Sequence, residues 1–123
     1  MHYTDGDKRL RRKGMDPEAV VKFEAVLAAC RGKGMPIYVV CGYRTIAEQL
    51  WLFLLNKTPL RRPLFHGRGL AMDCAFVVKG KLTYEVQPKW WEIYGRACRA
   101  YGLKWGGDWT GTWRDRPHCQ LEK

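Results

Sequence analysis

The chain has 123 residues, enough for one domain with a modest core and too few for a separate binding module. Hydrophobic residues make up 46% of it, a globular composition that excludes a disordered chain. The formal net charge of +10 predicts a polyanionic partner, and nucleic acid, anionic lipid and bacterial envelope polymers all fit that description.

The amino-terminal residues 1–15 predict a basic lead-in with loop or short helical character. Residues 1–13 lack the apolar stretch of a secretory signal, and no apolar run approaches the length that spans a membrane. We therefore expect synthesis in the bacterial cytoplasm without a signal peptide. Another agent would have to deliver the protein to a substrate outside the cell membrane.

A first helix is predicted from Asp16, because an aspartate cap followed by proline and an acid is typical of a helix start. Its end is expected near Gly32. Residues 36–41 are rich in β-branched and aromatic side chains and predict a short buried strand. Thr45 and Glu48 have the spacing of a capping box, which predicts a second helix that stops before the next proline.

The second half of the chain opens with a basic loop over residues 57–69, followed by a predicted strand over residues 70–78. Pro88 predicts the start of a third helix, which Gly102 should end. A final short strand is predicted over residues 117–121. These elements indicate that the later part of the chain adds two strands and one helix to the fold.

The order of elements predicts one α+β domain over residues 1–123, with its core at residues 16–121 and helices packed on a small sheet. The Gly- and Trp-rich stretch 105–113 is expected to form a loop. Strand direction stays open at this point. The crossover lengths allow a parallel sheet, whereas the turn at residues 79–81 could begin a hairpin.

Five cysteines are spread at wide spacings: Cys30, Cys41, Cys74, Cys98 and Cys119. The absence of a C-x-x-C pair argues against a cysteine zinc finger, and a disulfide scaffold fits poorly with this much apolar core. We expect mainly buried thiols of a protein made in a reducing cytoplasm. Cys74 and Cys119 are expected on the core face of their strands.

Two segments carry residues suited to metal chemistry, residues 66–73 and residues 115–118. They supply two imidazoles and a carboxylate as metal ligands, from His66, Asp73 and His118. Three protein ligands with an open fourth position define a catalytic zinc site. Each residue also has a simpler explanation, since a histidine in a basic loop is often solvated. A carboxylate inside an apolar strand, however, needs a buried partner.

Asp115 precedes His118 by three positions, and the intervening proline favours an extended backbone, so Asp115 should project from the loop just before the final strand. There it could act as a general base. The alternative is a surface ion pair with a neighbouring arginine. Asp108 is the rival candidate, either as the base or as a partner that orients a ligand histidine.

Four motifs follow one another along the chain: Gly42-Tyr43-Arg44, His66-x-x-Gly69-x-Ala71-x-Asp73, Gly102-Leu103-x-Trp105-Gly106-Gly107-Asp108-Trp109, and Asp115-x-Pro117-His118-x-Gln120. Together they resemble the motifs of the zinc D-alanyl-D-alanine carboxypeptidases and dipeptidases and of the phage L-alanyl-D-glutamate endopeptidases. The resemblance covers roughly residues 16–121. The last motif begins with aspartate and not glutamate, which resembles the phage branch.

The resemblance implies a small antiparallel sheet flanked by about three helices, of the Hedgehog and D,D-peptidase type. It implies one zinc ion per chain, with His66, Asp73 and His118 as the ligands and Asp115 as the general base. Arg44 would bind substrate and steady the developing oxyanion.

Further substrate contacts are expected from Tyr43, Gln49 and Trp109. Two departures from the family pattern stand near the motifs, because Cys41 and Leu64 occupy positions where serine is common. Neither is a ligand position, so the changes bear on contacts around the site and leave the predicted metal ligands intact.

The leading hypothesis is therefore a zinc metallopeptidase that hydrolyses the L-alanyl-D-glutamate bond of bacterial peptidoglycan as a phage-type lysis enzyme. A D-alanyl-D-alanine carboxypeptidase on the same site is the alternative within enzymes. A basic, Trp-rich nucleic-acid-binding module and a catalytically silent wall-binding domain are the alternatives from other classes. A nucleic-acid module gives no reason for Asp73 within a strand, and we expect no specific nucleic-acid partner.

The expected partners follow from this hypothesis and from the charge. They are peptidoglycan, anionic envelope polymers that contact the basic surface, and a holin that releases a monomeric enzyme to the wall. The basic clusters, which could also be an ordinary solvated surface, comprise Arg9, Arg11, Arg12, Lys13, Arg61, Arg62 and Arg68.

Overall fold

The computed structural model describes residues 1–57 and 64–123, so Arg61 and Arg62 of the predicted basic loop lie outside the described residues. Within these ranges, no helix is long and apolar enough to cross a membrane. The described elements are the helices α1 (Pro17–Gly32), α2 (Ile46–Leu54) and α3 (Pro88–Ala100) and the strands β1 (Ile37–Cys41), β2 (Ala71–Val78), β3 (Lys81–Thr83), β4 (Lys104–Trp105) and β5 (His118–Gln120).

The predicted helix starts are confirmed by their caps. The Asp16 carboxylate accepts a hydrogen bond of 3.0 Å from the Ala19 amide at the start of α1. At α2, the Thr45 hydroxyl accepts from the Glu48 amide at 3.1 Å, and the Glu48 carboxylate accepts from the Thr45 amide at 3.0 Å. These reciprocal bonds satisfy donors that the first turn of a helix leaves unpaired.

The strands form one sheet in the order β1-β2-β5-β4, and β3 pairs with the C-terminal end of β2. All of these pairings are antiparallel, which resolves the strand direction that the sequence left open. The turn after β2 does begin a hairpin, with Lys79 and Gly80 in the left-handed region at φ of 53° and 75°. The α+β class and the small antiparallel sheet are confirmed.

One predicted boundary is wrong. Trp105 was assigned to a loop, but it lies in β4 and pairs with Cys119 of β5. A two-residue strand is too short to show the alternation by which strands are detected in a sequence. The pairing places the Trp105 side chain in the core, where it is 6% exposed and donates from Nε1 to the Arg116 carbonyl at 2.8 Å.

The core lies between the sheet and the helices α1 and α3, which pack against each other. Alternate residues of β2 join this core: Met72, Cys74 and Phe76 are completely buried, and the Phe76 ring lies 4.9 Å from that of Trp91 on α3. Because side chains alternate along a strand, Asp73 points to the other face of the sheet. The helices therefore cover one face and leave the other for a site.

The lead-in forms a 3-10 helix over Tyr3–Arg11 that packs along β1. A side chain at Gly6 would place its Cβ 2.1 Å from the Val39 carbonyl oxygen, so only glycine permits this close approach. Arg9 donates to the same carbonyl at 3.3 Å, and Leu10 is 3% exposed within the core. The packed unit therefore extends beyond the predicted core of residues 16–121.

Candidate active site

The centre of the site is built by two neighbouring strands and one tight loop. Asp73 of β2 pairs directly with His118 of β5, and His118 Nδ1 lies 3.0 Å from Asp73 Oδ1. His66 enters from the loop before β2, with its Nε2 at 3.2 Å from Asp73 Oδ2. Gly69 lets this loop turn back, because its φ is +68° and an added Cβ would lie 2.0 Å from the Gly14 carbonyl oxygen.

Backbone and side-chain partners fix which nitrogen of each imidazole faces the centre. His66 Nδ1 lies 2.7 Å from the Gly42 carbonyl oxygen, an acceptor, so this nitrogen carries the proton and donates. The lone pair is then on Nε2, which faces Asp73. His118 is held the opposite way, since its Nε2 donates to Gln120 Oε1 at 2.7 Å and leaves the lone pair on Nδ1.

These orientations fit a metal ion. Second partners that hold the outer nitrogen of a histidine are typical of metal sites, because they fix the tautomer and aim the free lone pair. His66, Asp73 and His118 together offer two nitrogen lone pairs and a carboxylate in a largely buried position. Two imidazoles with one carboxylate is a donor set that suits zinc with an open coordination position.

The electrostatics of the three groups also favour a cation. Burial alone would lower the pKa of each imidazole and raise that of Asp73. Their mutual attraction outweighs burial, so the pKa of His66 rises to about 10 and that of His118 rises as well. The pKa of Asp73 falls well below its usual range. A positive charge is therefore stabilised between these side chains, whether it is a proton or a metal ion.

Asp115 lies at the edge of this centre. Its carboxylate, a carboxylate oxygen of Asp73 and a ring nitrogen of His118 all lie within 4.8 Å of one another. Its backbone is fixed by a bond of 2.9 Å from its amide to the Gly106 carbonyl, and an added Cβ at Gly106 would lie 2.2 Å from the Asp115 carbonyl oxygen. Desolvation and the nearby charge of Asp73 raise the pKa of Asp115, as suits a group that takes up a proton.

Arg44 approaches the centre from the start of α2. Its Nη2 lies 3.6 Å from Asp73 Oδ2, and its Nη1 donates to Gln49 Oε1 at 2.7 Å. Gln49 is 1% exposed, so this bond holds the guanidinium in a fixed position. Cys41 adds a further contact, because its Sγ lies 3.3 Å from Arg44 Nη2 and 3.8 Å from His66 Nδ1.

These residues line one cleft of about 570 Å³. The Trp109 ring forms part of its wall, with its centroid 5.3 Å from that of His118. Trp113 and Tyr84 also contribute to the wall, and Trp113 is 64% exposed. Cationic side chains from three separate segments reach this cleft: Arg44, Lys57 and Arg114.

Two of the predicted site residues lie apart from this cleft. Tyr43 lines a neighbouring groove, where the Arg12 guanidinium lies 5.1 Å from the centroid of its ring. Asp108 pairs with Arg99 of α3, whose Nε donates to its carboxylate at 2.9 Å. The distances within the site therefore bring Asp115, and not Asp108, close to the proposed ligands.

Several contributors to the site have no role predicted from the sequence, among them the Gly42 carbonyl, Gln120 and Tyr84. Gln120 follows His118 by two positions in a strand, and that spacing places both on one face. This signal could have identified it. The Gly42 carbonyl and Tyr84 reach the site through long-range packing, for which the sequence offers no local pattern.

Comparisons with known proteins point to one family. A model of the D-alanyl-D-alanine carboxypeptidase family matches residues 64–121, the part that carries both histidines and both aspartates of the site. The peptidoglycan L-alanyl-D-glutamate endopeptidase CwlK of Bacillus subtilis is 27% identical over an alignment of 115 residues, and the match covers 80% of this chain and 68% of CwlK. Over these residues the chain is similar to the D-alanyl-D-alanine carboxypeptidase family of peptidases.

Solved structures show a similar likeness. The L-Ala D-Glu endopeptidase ChiX of Serratia marcescens has a TM-score of 0.72 at 27% identity, covering 99% of this chain and 90% of ChiX. A variant of the D,D-pentapeptidase VanY in complex with Zn(II) has a TM-score of 0.64 at 15% identity, covering 87% of this chain and 72% of VanY. The second likeness supports the fold alone.

Proposed function

We propose that this chain is a zinc-dependent endopeptidase that cleaves the L-alanyl-D-glutamate bond in the peptide stems of bacterial peptidoglycan. The observation that carries the proposal is the convergence of the two imidazole lone pairs on the Asp73 carboxylate, with Asp115 beside them. The family match and the two L-alanyl-D-glutamate endopeptidases among the relatives support the same activity.

His66 Nε2, a carboxylate oxygen of Asp73 and His118 Nδ1 would hold one zinc ion per chain. When bound, zinc supplies Lewis acidity that polarises a peptide carbonyl and makes a water molecule more acidic. Gly42 and Gln120 keep the two imidazoles in the tautomers that such binding requires. The metal assignment rests on these donors and their hydrogen bonds.

The reaction divides among the remaining side chains. The Asp115 carboxylate takes a proton from a water molecule while the water oxygen bonds to the carbonyl carbon. Asp115 then returns that proton to the amide nitrogen as the C–N bond breaks. Arg44 lies where its guanidinium can face the negative charge that develops on the carbonyl oxygen, held there by Gln49. The products are one new carboxylate and one new amine, so the atoms and charges of hydrolysis balance.

The charge of the cleft suits a stem with a carboxylate next to the scissile bond, a feature that L-alanyl-D-glutamate and terminal D-alanyl-D-alanine share. Glutamate brings a carboxylate next to the scissile bond, and Arg44, Lys57 and Arg114 give the cleft a cationic wall. Trp109 and Trp113 offer flat apolar surfaces for the less polar parts of the stem. This arrangement suits an acidic substrate better than a neutral one.

Digestion of purified peptidoglycan, with and without a chelator, tests the proposal. Mass analysis should find fragments that begin with glutamate, and the chelator should abolish them. A D-alanyl-D-alanine carboxypeptidase, the second candidate, is favoured by the description of the family model and would release free D-alanine instead. If an enzyme loaded with zinc releases neither product, both functions are contradicted.

We also propose that the protein acts as a phage-type lysis enzyme, released from the cytoplasm by a holin and drawn to anionic envelope polymers by its net charge of +10. Expression in a bacterial host with and without a holin tests the release, and lysis should require the holin. Wall binding should weaken as salt screens the charge. Lysis without the holin would contradict the release step.

A further inference from the structure

Helix α2 has its polarity reversed relative to an ordinary surface helix. Its one fully buried side chain is a glutamine, Gln49, at 1% exposure. Its outer face is formed by two rows of apolar side chains at helical spacing, with the exposed Glu48 at one edge. These exposed side chains are Ile46, Ala47, Leu50, Trp51, Leu54 and Leu55.

The exposure is large for residues of this type. Ile46 and Leu54 are each 64% exposed, Trp51 is 62% exposed, and Leu50 and Leu55 are 44% and 47% exposed. Single exposed apolar residues are common on proteins, but a contiguous apolar face marks an interaction site. We call this surface the α2 apolar face.

Polar contacts explain why the helix keeps this orientation. On the inner side, Gln49 accepts from Arg44. At the exposed edge of the helix, Glu48 accepts from two nitrogens of the Arg12 guanidinium at 2.8 and 3.2 Å. Turning the leucines inward would break these bonds and leave Gln49 in solvent. The α2 apolar face is therefore held outward by the same contacts that fix Arg44 in the cleft.

Basic residues lie on the chain segments next to the face. Arg12 forms an ion pair with Glu48 of α2, and the exposed residues Arg11 and Lys13 adjoin Arg12 in the sequence. Lys57 is exposed three positions after the end of the helix. A short apolar helix with basic neighbours and a tryptophan is the pattern of a segment that lies in the interface of an anionic bilayer.

We propose that the α2 apolar face docks on the surface of an anionic lipid bilayer. The helix has nine residues, so it can lie in the interface but cannot span it. A second copy of this chain is a poorer occupant, because two molecules of charge +10 repel each other. Leu52 and Gln49 of α2 also line the active-site cleft, so docking would hold the cleft close to the membrane surface.

Co-sedimentation with vesicles tests the proposal independently of catalysis. The full chain should bind vesicles of phosphatidylglycerol and phosphatidylcholine and bind phosphatidylcholine alone much more weakly. The double variant Leu50→Ser, Leu54→Ser should lower the partition coefficient roughly tenfold or more, since each leucine would leave the apolar phase. Ile46→Ser, at a separate exposed position, should weaken binding in the same direction.

Val21→Ser is the matched control, because Val21 is 69% exposed on α1, outside the α2 apolar face. It should bind vesicles like the unmodified protein. Circular dichroism should show the same helix content in all variants, since the changed side chains are exposed.

Three results would overturn the proposal. Equal vesicle binding by the double variant would mean that charge alone adsorbs the protein. If light scattering finds dimers that the double variant no longer forms, and no vesicle binding is seen, the face is a contact between copies of the chain. Loss of binding to isolated peptidoglycan by the double variant, again with no vesicle binding, would make it a wall contact.

Discussion

Strands β2 and β5 present chemically opposite surfaces on their two faces. On one face, Asp73 and His118 meet His66 in a polar centre that opens to a cleft. On the other face, their chain neighbours Cys74 and Cys119 are completely buried in the apolar core. Of two consecutive residues in a strand, one can therefore serve catalysis and the other stability. Substituting each member of such a pair in turn can separate the two roles.

Buried thiols on the core face are chemically quiet. Cys30 of α1 packs in the same core, and burial raises its pKa to about 12. Burial likewise raises the pKa of Cys74 well above its usual range. Because the thiolate is the form that binds metals and reacts, Cys30 and Cys74 contribute apolar volume to the core.

The largest contrast is expected between His118→Ala and Cys119→Ala. The first change removes a proposed ligand and should abolish detectable peptidoglycan hydrolysis. The second removes a buried side chain and should lower the free energy of unfolding by about 1–3 kcal/mol while activity at low temperature remains. Turbidity assays on cell walls and denaturant titrations measure the two effects. Comparable activity loss in both variants would mean that the two faces are not separable.

Asp115→Ala and Asp108→Ala sharpen the comparison within the polar face. Asp115 lies beside the metal-ligand set, whereas Asp108 is held by Arg99 on the surface. Loss of a general base should lower kcat by on the order of a hundred- to ten-thousand-fold with zinc retained. Asp108→Ala should stay within a few-fold of the unmodified enzyme. If the outcomes are reversed, the base has been assigned to the wrong carboxylate.

The pH profile provides a smaller test of the same residue. Asp115 must be ionised to accept a proton, and its pKa is raised by desolvation and by Asp73. The rate constant kcat/KM should therefore fall as pH drops through that raised pKa, by up to about tenfold per pH unit. A profile measured on a soluble stem peptide reports this fall. A flat profile down to pH about 4 would contradict the role of Asp115 as the base.

The smallest effect is expected outside both faces, at the ion pair between Arg12 and Glu48. The pair lowers the pKa of Glu48 to about 2, so its stabilisation is present above the ordinary pKa of glutamate and is lost as pH falls through about 2. Both side chains are nearly half exposed, and Glu48→Gln should cost only about 0.2–1 kcal/mol. Thermal unfolding measures it, and a larger loss would show that α2 is held mainly by this pair.

Local signals in the sequence predict much of the fold. The cap at Asp16, the capping box at Thr45 and the alternation around Asp73 each define an element that the structure contains. Strand direction and the short strand at Trp105 depend on pairing between distant segments. A single sequence carries no local pattern for such pairing, so these features could not be predicted from the residues alone.

The candidate site follows the same division. His66, Asp73, Asp115 and His118 were identified from motifs, and the structure brings them together. The contacts that orient His66 come from the Gly42 carbonyl and from Cys41, which meet it across 24 and 25 positions in the chain. Helix α2 is instructive in the opposite way, because its apolar sequence would suit a core helix and its leucines nonetheless face solvent.

The most direct test of the central claim is the zinc content of purified protein, measured by elemental analysis for the unmodified chain and for Asp73→Ala and Cys74→Ala. One zinc per chain is expected in the unmodified protein and in Cys74→Ala, and none in Asp73→Ala. An unmodified chain that neither contains zinc nor takes it up on titration would contradict the account. Undiminished zinc in Asp73→Ala would contradict it equally.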